Sequence, residues 1–413
     1  MHPKDIKIET YNYTLPEEKI ATFPLAERDA SKLLVYKSGQ IEDQQFDTIA
    51  AYLPEDALMV YNQTKVVHAR LLFKKPTGGK VEVFCLEPDA RYADVPTAML
   101  SRGSVYWKCF LGGASKWKEG LLVLETEDFI MHAERVAQQD GAWVLKLSWT
   151  DPELSFAEVL HKAGKVPLPP YLNREATAAD EASYQSIFAK EEGSVAAPTA
   201  SLHFTPGVLA SIAKKGVSTL SVTLHVGAGT FKPVKSETME DHEMHAEWLE
   251  VSKAQLTALA KHLSAQKPLV AVGTTSCRTL ESLYWIGIQL INGVPIENGA
   301  VAVTQWLPYE AVFAVVPAVA SINAIISHLE ATQADKLMVK TQIIIAPGYD
   351  FKIVNGLITN FHQPESTLLL LVAALIGTDW KSVYEHALKN NYRFLSYGDS
   401  SLLWYKDLPN KKA

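Results

Sequence analysis

Thr205-Pro-Gly-Val-Leu-Ala-Ser-Ile-Ala-Lys-Lys-Gly-Val-Ser-Thr-Leu-Ser-Val-Thr-Leu-His-Val226 reads as a helix followed by a strand. Thr205 is an N-cap, proline takes the first helical position, where its missing N–H costs nothing, and Gly216 closes the helix. From Leu220 the period becomes two: Leu220, Val222, Leu224 and Val226 share one face, and Ser221, Thr223 and His225 the other. This strand runs into Gly227-Ala-Gly229-Thr230, and glycines there let backbone approach a ligand closely. The alternation continues downstream. Ser252-Lys-Ala-Gln255 has capping-box form ahead of Leu256, Leu259, Ala260 and Leu263 at helical spacing. Leu269-Val-Ala-Val272 is a buried strand, and Gly273-Thr-Thr-Ser276 opens a helix through Leu283. Gln342-Ile-Ile-Ile-Ala346 and Leu357-Ile-Thr-Asn-Phe361 are expected strands, and Asp379 an expected cap for a stripe of Trp380, Val383, Tyr384, Ala387 and Leu388. With Leu33-Leu-Val-Tyr36 and Leu58-Met-Val-Tyr-Asn62 upstream, the pattern is that of an α/β protein.

Between about Thr64 and Trp149 the texture differs. Arg70 to Phe84 reads as a hairpin turning at Gly78-Gly79, and Phe129–Val136 with Ala142–Trp149 as another across Gln-Asp-Gly. Closely spaced strands with little helix predict a small barrel or sandwich. The expected architecture is an α/β main domain, residues 1–63 and 150–413, with a small antiparallel β-barrel domain, residues 64–149, inserted. Between Asn62 and Gly120, lysine and arginine outnumber the acids although the whole chain carries a formal charge of −7. A basic β domain in an acidic chain suits a phosphate-backbone partner, and equally suits a merely solubilising surface.

Composition narrows the class. The 413 residues are 47% hydrophobic and 21% charged, which excludes extensive disorder and allows two or three domains. Cys85, Cys109 and Cys277 are odd in number and far apart, the usage of a reduced, cytoplasmic protein, not of a disulfide or zinc framework. Met1-His-Pro-Lys-Asp5 lacks a signal-peptide apolar core. Leu368–Ile376 and Ala311–Ile326 are too short to span a bilayer, so no membrane partner is expected.

In open α/β sheets, ligands bind beyond the carboxyl ends of the strands. Here those ends carry His225-Val-Gly-Ala-Gly-Thr230, Gly273-Thr-Thr-Ser276, Pro347-Gly-Tyr349 and Asn360-Phe-His362. Gly193-Ser-Val-Ala-Ala-Pro-Thr-Ala-Ser-Leu-His-Phe-Thr205 adds Thr199 and His203. The start of the helix at Gly273 offers N–H groups to an anion, and Arg278 a fork of donors, although capping alone also explains Gly-Thr-Thr-Ser. Gly227-x-Gly229 falls short of a dinucleotide fingerprint, since no third glycine follows. Asp241-His-Glu-Met-His-Ala-Glu247 has one residue too few between Glu243 and His245 for a zinc-protease motif, and reads as polar, partly buried residues at a helix start. No metal is expected.

The ordered set of motifs resembles one family. It comprises Tyr13-Thr-Leu-Pro16, Pro24 to Leu34 with Arg28-Asp29, Asn62-Gln-Thr-Lys65 with Ala69-Arg70, Gly78 to Val83, Gly164 to Tyr171, and Tyr184-Gln185. It continues through Gly193–Thr205, Thr223–Phe231, His242–Glu247, Ala271–Glu281, Pro347–Tyr349, Thr359–Leu371 and Tyr392–Asp399. The chain is similar, nearly end to end, to the S-adenosylmethionine:tRNA ribosyltransferase-isomerases of queuosine biosynthesis. Ser201, Gln363 and Lys32 depart from the more usual glycine, leucine and arginine, and Trp285–Lys340 looks like an added helical or strand–helix piece.

The resemblance implies transfer and isomerisation of the ribosyl group of S-adenosylmethionine onto 7-aminomethyl-7-deazaguanine at the wobble position of tRNA. Epoxyqueuosine-tRNA, adenine and methionine would be the products. S-adenosylmethionine is then a co-substrate, and no cofactor is implied. The expected catalytic residues are His203 or His225 as base, with Thr199, Asn360 and His362. Gly227, Gly229, Thr230, Thr274, Thr275 and Arg278 are expected around S-adenosylmethionine, and Lys65, Arg70, Lys80 and Lys116 on the tRNA backbone. A cytoplasmic monomer is expected. Two other classes compete: an RNA methyltransferase, which needs the missing nucleotide fingerprint, and a non-catalytic RNA-binding module, in which clustered histidines are superfluous.

Overall fold

The computed structural model describes residues 2–405 except 76–77, 114–116, 118–119, 140, 228–233, 235 and 311–312. Four parallel strands form the middle of a ten-stranded sheet, in the spatial order Ser218–His225, Leu58–Asn62, Leu269–Val272 and Gly356–Asn360. Leu58 pairs with both Ser218 and Leu269, so all three strands start level and end at the same edge. Parallel strands are covered on both faces, which is why Leu269–Val272 and Gly356–Asn360 are buried at every position. One face (Val60, Val222, Leu224, Ala271, Leu357) packs on the helices Lys253–Ser264, Gly273–Ile291 and Ala318–Ala331. The other (Met59, Val270, Val272, Ile358) packs on Phe46, Ile49 and the helix Pro206–Lys214. Each fully buried side chain of this size contributes roughly 1.5–3 kcal/mol, so both layers are needed.

Most local signals are met. Thr205 accepts from the Val208 N–H, Ser252 and Gln255 form the capping box, and Gly216 has φ +85°. On one flank of the sheet, Ser400–Trp404, Lys32–Lys37 and Gln40–Gln45 are added, and on the other Glu247–Ser252, Lys336–Thr341 and Val301–Val303. The segment between Trp285 and Lys340 thus completes a helix, supplies a second that packs on it and extends the sheet edge. Six antiparallel strands, from Arg70–Lys74 to Ala142–Trp149, close into a barrel. Alternate residues such as Phe73, Val83, Cys85, Val105 and Trp107 fill it, and Phe156 of the helix Phe156–Ala163 packs on Trp107 and Trp149.

Three expectations are corrected. Gln342–Ala346 is no strand: the strand is Lys336–Thr341, which the weaker apolar pattern concealed. Beyond it, side chains replace the ladder, with Arg278 Nε donating to the Ile343 carbonyl at 3.2 Å and Tyr309 Oη to that of Ile344 at 3.0 Å. Asp379 precedes the helix Trp380–Lys389 but does not cap it, because its carboxylate accepts from Tyr36 Oη at 2.5 Å. His242 and His245 start no helix; they lie in the extended approach to the strand Glu247–Ser252, His242 half-buried and His245 exposed. The run at Leu368 continues into the next helix, so Thr367–Lys389 has the length and hydropathy of a membrane span. In the fold, Leu369, Leu371, Val372, Leu375 and Trp380 are buried in the core beside the sheet.

Candidate active site

A cleft enclosing about 930 Å³, its open side included, lies at the carboxyl ends of the parallel strands. One wall is the start of the helix Gly273–Ile291. Gly273 turns the chain from strand to helix with φ +83°, no side chain caps the helix, and the Ser276 hydroxyl bonds back to the Val272 carbonyl at 2.7 Å. The first N–H groups are therefore unclaimed and carry the positive end of a 19-residue helix dipole. Thr274 and Thr275 line the cleft beside them, and Thr275 Oγ1 has no hydrogen-bond partner within the protein.

The opposite wall comes from the end of Gly356–Asn360 and the turn after it. Asn360 donates to the Leu395 carbonyl at 2.9 Å, which aims its amide and leaves Oδ1 with no well-formed bond, near the His203 ring. The His362 Nε2 lies 3.0 Å from the Thr359 hydroxyl, and its main-chain N–H donates to Tyr384 Oη at 3.1 Å. Tyr184, 1% exposed, brings its hydroxyl, near the Ala197 carbonyl and Ser396 but without a well-formed bond, and Thr199 also lines the cleft. An unmade hydrogen bond at a buried polar atom costs about 1–3 kcal/mol, so the unpartnered Thr275 Oγ1, with the imperfectly paired Asn360 Oδ1 and Tyr184 Oη, marks a place where a polar ligand supplies better partners. Among the described residues, no aspartate, glutamate, lysine or arginine lines this cleft.

The three histidines expected together are separated. Only His362 lines the cleft, and burial pushes its imidazole down to about 3. His203 lies behind, in an adjoining smaller cavity, with Ser31 Oγ 2.8 Å from its Nδ1 and no well-formed bond at Nε2. Burial holds it at about 4, opposed in small part by the Asn360 amide. His225 ends the strand Ser218–His225 with its Nδ1 unpartnered beneath Gly193, and burial, aided by the Lys336 charge, sets it at about 4.

Gly193 has φ +131°, and a methyl group there would stand 2.4 Å from Val95 Cγ1 and 2.9 Å from His225 Nδ1. Gly193→Ala is expected to lower stability by about 1–3 kcal/mol, read from the urea unfolding midpoint. Gly207→Ala, whose methyl meets nothing closer than 3.7 Å, should not.

Of the other expected residues, Thr199, Thr274, Thr275 and Asn360 meet at the cleft, and Gly227 is half-buried next to Val226, which lines it. Gly229, Thr230 and Lys116 lie outside the described residues. Arg278 turns away: its guanidinium is buried against the Glu247 carboxylate and the Ile343 carbonyl. Lys65 is ion-paired to Glu192 at 2.7 Å and Arg70 to Glu82 at 3.4 Å, while Lys80 is exposed. Tyr171, Tyr184 and Ser396, which no local motif marks as chemical, complete the lining.

A sequence model of the family described as "Queuosine biosynthesis protein" matches residues 8–403. The S-adenosylmethionine:tRNA ribosyltransferase-isomerase of Trichlorobacter lovleyi is 36% identical over 400 residues, 96% of this chain and 99% of the relative. That of Thermotoga maritima is 37% identical over 402 residues, 96% of this chain and 100% of the relative. A crystal structure of an S-adenosylmethionine tRNA ribosyltransferase from Thermotoga maritima aligns with TM-score 0.45 and 28% identity, over 95% of this chain and 99% of that one. With nearly its whole length matched, the chain belongs to the queuosine biosynthesis protein family, that of the S-adenosylmethionine:tRNA ribosyltransferase-isomerases.

Proposed function

We propose that this chain transfers and isomerises the ribosyl group of S-adenosylmethionine onto 7-aminomethyl-7-deazaguanine in tRNA, giving epoxyqueuosine, adenine and methionine. The observation that carries the reading at the site is a cleft whose described lining holds no Asp, Glu, Lys or Arg and presents the unpaired Thr275 Oγ1 with the imperfectly paired Asn360 Oδ1 and Tyr184 Oη. S-adenosylmethionine is a cation at sulfur with a carboxylate at one end. The uncapped helix start at Gly273, with Thr275, is suited to the carboxylate. A wall without carboxylates among its described residues leaves the sulfonium unquenched, which keeps its neighbouring C–H acidic.

The chemistry needs a base for that proton, an acid near the departing adenine, and donors for ribose oxygens. His362 is the imidazole placed for the first role, since it faces the cleft and is uncharged at neutral pH. Donation from Nε2–H to the Thr359 hydroxyl would leave Nδ1 as the acceptor. Once the proton is taken and adenine expelled, the aminomethyl nitrogen attacks and methionine leaves. The Asn360 and Thr199 side chains would orient the ribose. Nothing in this sequence of steps calls for a metal or cofactor, and a monomer acting in the cytoplasm completes the reading.

Incubation with S-adenosylmethionine and tRNA bearing the aminomethyl base, followed by mass spectrometry, is expected to yield adenine, methionine and an epoxide-bearing nucleoside. S-adenosylhomocysteine in their place would mean methyl transfer. Tight tRNA binding without turnover would mean a binding module.

A further inference from the structure

The cavity that holds His203 measures about 290 Å³, its open side included, and Ser396 lines both it and the main cleft. Its character is opposite. Arg28 and Arg393 line it and, among the described residues, no carboxylate does. The Arg28 guanidinium donates to the carbonyls of Gln185 at 2.8 Å and Ala182 at 2.5 Å and forms no ion pair among the described residues. Dipoles hold this cation in place without neutralising it. Arg393 is only loosely tied to Asp399, at 3.5 Å, and keeps 30% of its side chain exposed. His203, 4% exposed, also lines the cavity, its Nδ1 2.8 Å from Ser31 Oγ and its ring within reach of the Asn360 amide.

At the mouth stands an exposed aromatic ring. Phe23 is 57% exposed and immediately precedes Pro24 and Leu25, which line the cavity. Its carbonyl accepts from Arg393, and the Arg174 guanidinium lies 4.2 Å over the ring, itself fixed by two 2.7 Å bonds to Asp180. A ring so placed, with much of its surface still open, is a ready platform for a nucleobase.

Resting on the tRNA-modifying reading above, we propose that this cavity and Phe23 form a subsite for the nucleotide adjoining the modified base. Phe23 stacks the neighbouring base, while Arg28 and Arg393 hold the phosphate that links it to the base in the cleft. Ser396 is the point at which the strand passes from one cavity to the other. Recognition by stacking and phosphate contact is suited to a splayed single strand, and places part of the RNA contact on the α/β domain, apart from the basic barrel.

Phe23→Ala is the decisive variant, because the ring is largely exposed and its loss leaves the core intact. It is expected to raise KM for tRNA, and the Kd of an anticodon stem-loop, about tenfold with KM for S-adenosylmethionine unchanged, and Phe23→Tyr should restore both. Arg28→Gln should lower the slope of log K against log salt by about one. The proposal is overturned if Phe23→Ala leaves tRNA affinity within twofold, or if it raises KM for both substrates alike. Displacement of the stem-loop by millimolar inorganic phosphate alone would likewise overturn it, showing a small-anion site instead. Failure of the subsite leaves wild-type epoxide formation untouched, whereas failure of the reaction reading shows in the wild type.

Discussion

Between pH 6.5 and 4 the protein is expected to lose stability steeply as acid is added, with His203, His225 and His362 as the cause. All three are buried and held at about 4, 4 and 3 in the folded chain, against about 6.5 when unfolded. In that interval the unfolded chain binds protons that the folded chain refuses, so unfolding becomes easier as pH falls. The stabilisation is complete above about 6.5 and disappears on the way down through the folded values. Each histidine contributes at most about 1.4 kcal/mol per pH unit, so the three together approach 4 kcal/mol per unit. Urea unfolding midpoints at pH 7, 6 and 5 measure this. Replacing His225 by Asn, which keeps a short polar group beneath Gly193, should flatten the slope by about a third. Equal midpoints at pH 7 and 5 would show that these imidazoles are not held neutral by burial.

His362→Gln is expected to cut kcat at least a hundredfold, with KM for S-adenosylmethionine and tRNA changed severalfold at most. General-base catalysis is worth about 10²–10⁴. A base held near 3 is weak, which sets the expectation at the lower end. The proton it receives comes from carbon beside a sulfonium already in the cleft, so the transfer relocates a positive charge and adds none. Thr359→Val removes the hydroxyl 3.0 Å from Nε2 and should cost a smaller factor, about tenfold, by releasing the ring's orientation. If His362→Gln keeps a tenth or more of wild-type turnover, the base is elsewhere, and His203 behind the cleft is the next to test.

Several features of this site were readable locally. That Gly273-Thr-Thr-Ser276 opens a helix at a strand end, and that Asn360 and His362 stand at the end of another strand, followed from strand runs and strand-end glycines. Such signals arise within a few residues and survive any packing. Arg278 was readable as a donor but not as an occupied one, because its partner Glu247 lies 31 residues away. Lys65 was readable as basic, but Glu192, 127 residues on, claims its charge. Gln342–Ala346 had the apolar composition of a strand, yet its backbone groups are met by Arg278 and Tyr309 from other elements.

By itself, the sequence determined most of the alternation of strands and helices, the barrel hairpins, the caps at Thr205 and Ser252 and the family resemblance, since period and turn chemistry are local. Tertiary structure alone decided which of three histidines faces the cleft, which cations are neutralised, and where Phe23 meets Arg28 and Arg393. Those outcomes depend on burial and on partners brought together from distant parts of the chain, and no pattern within a short window encodes either.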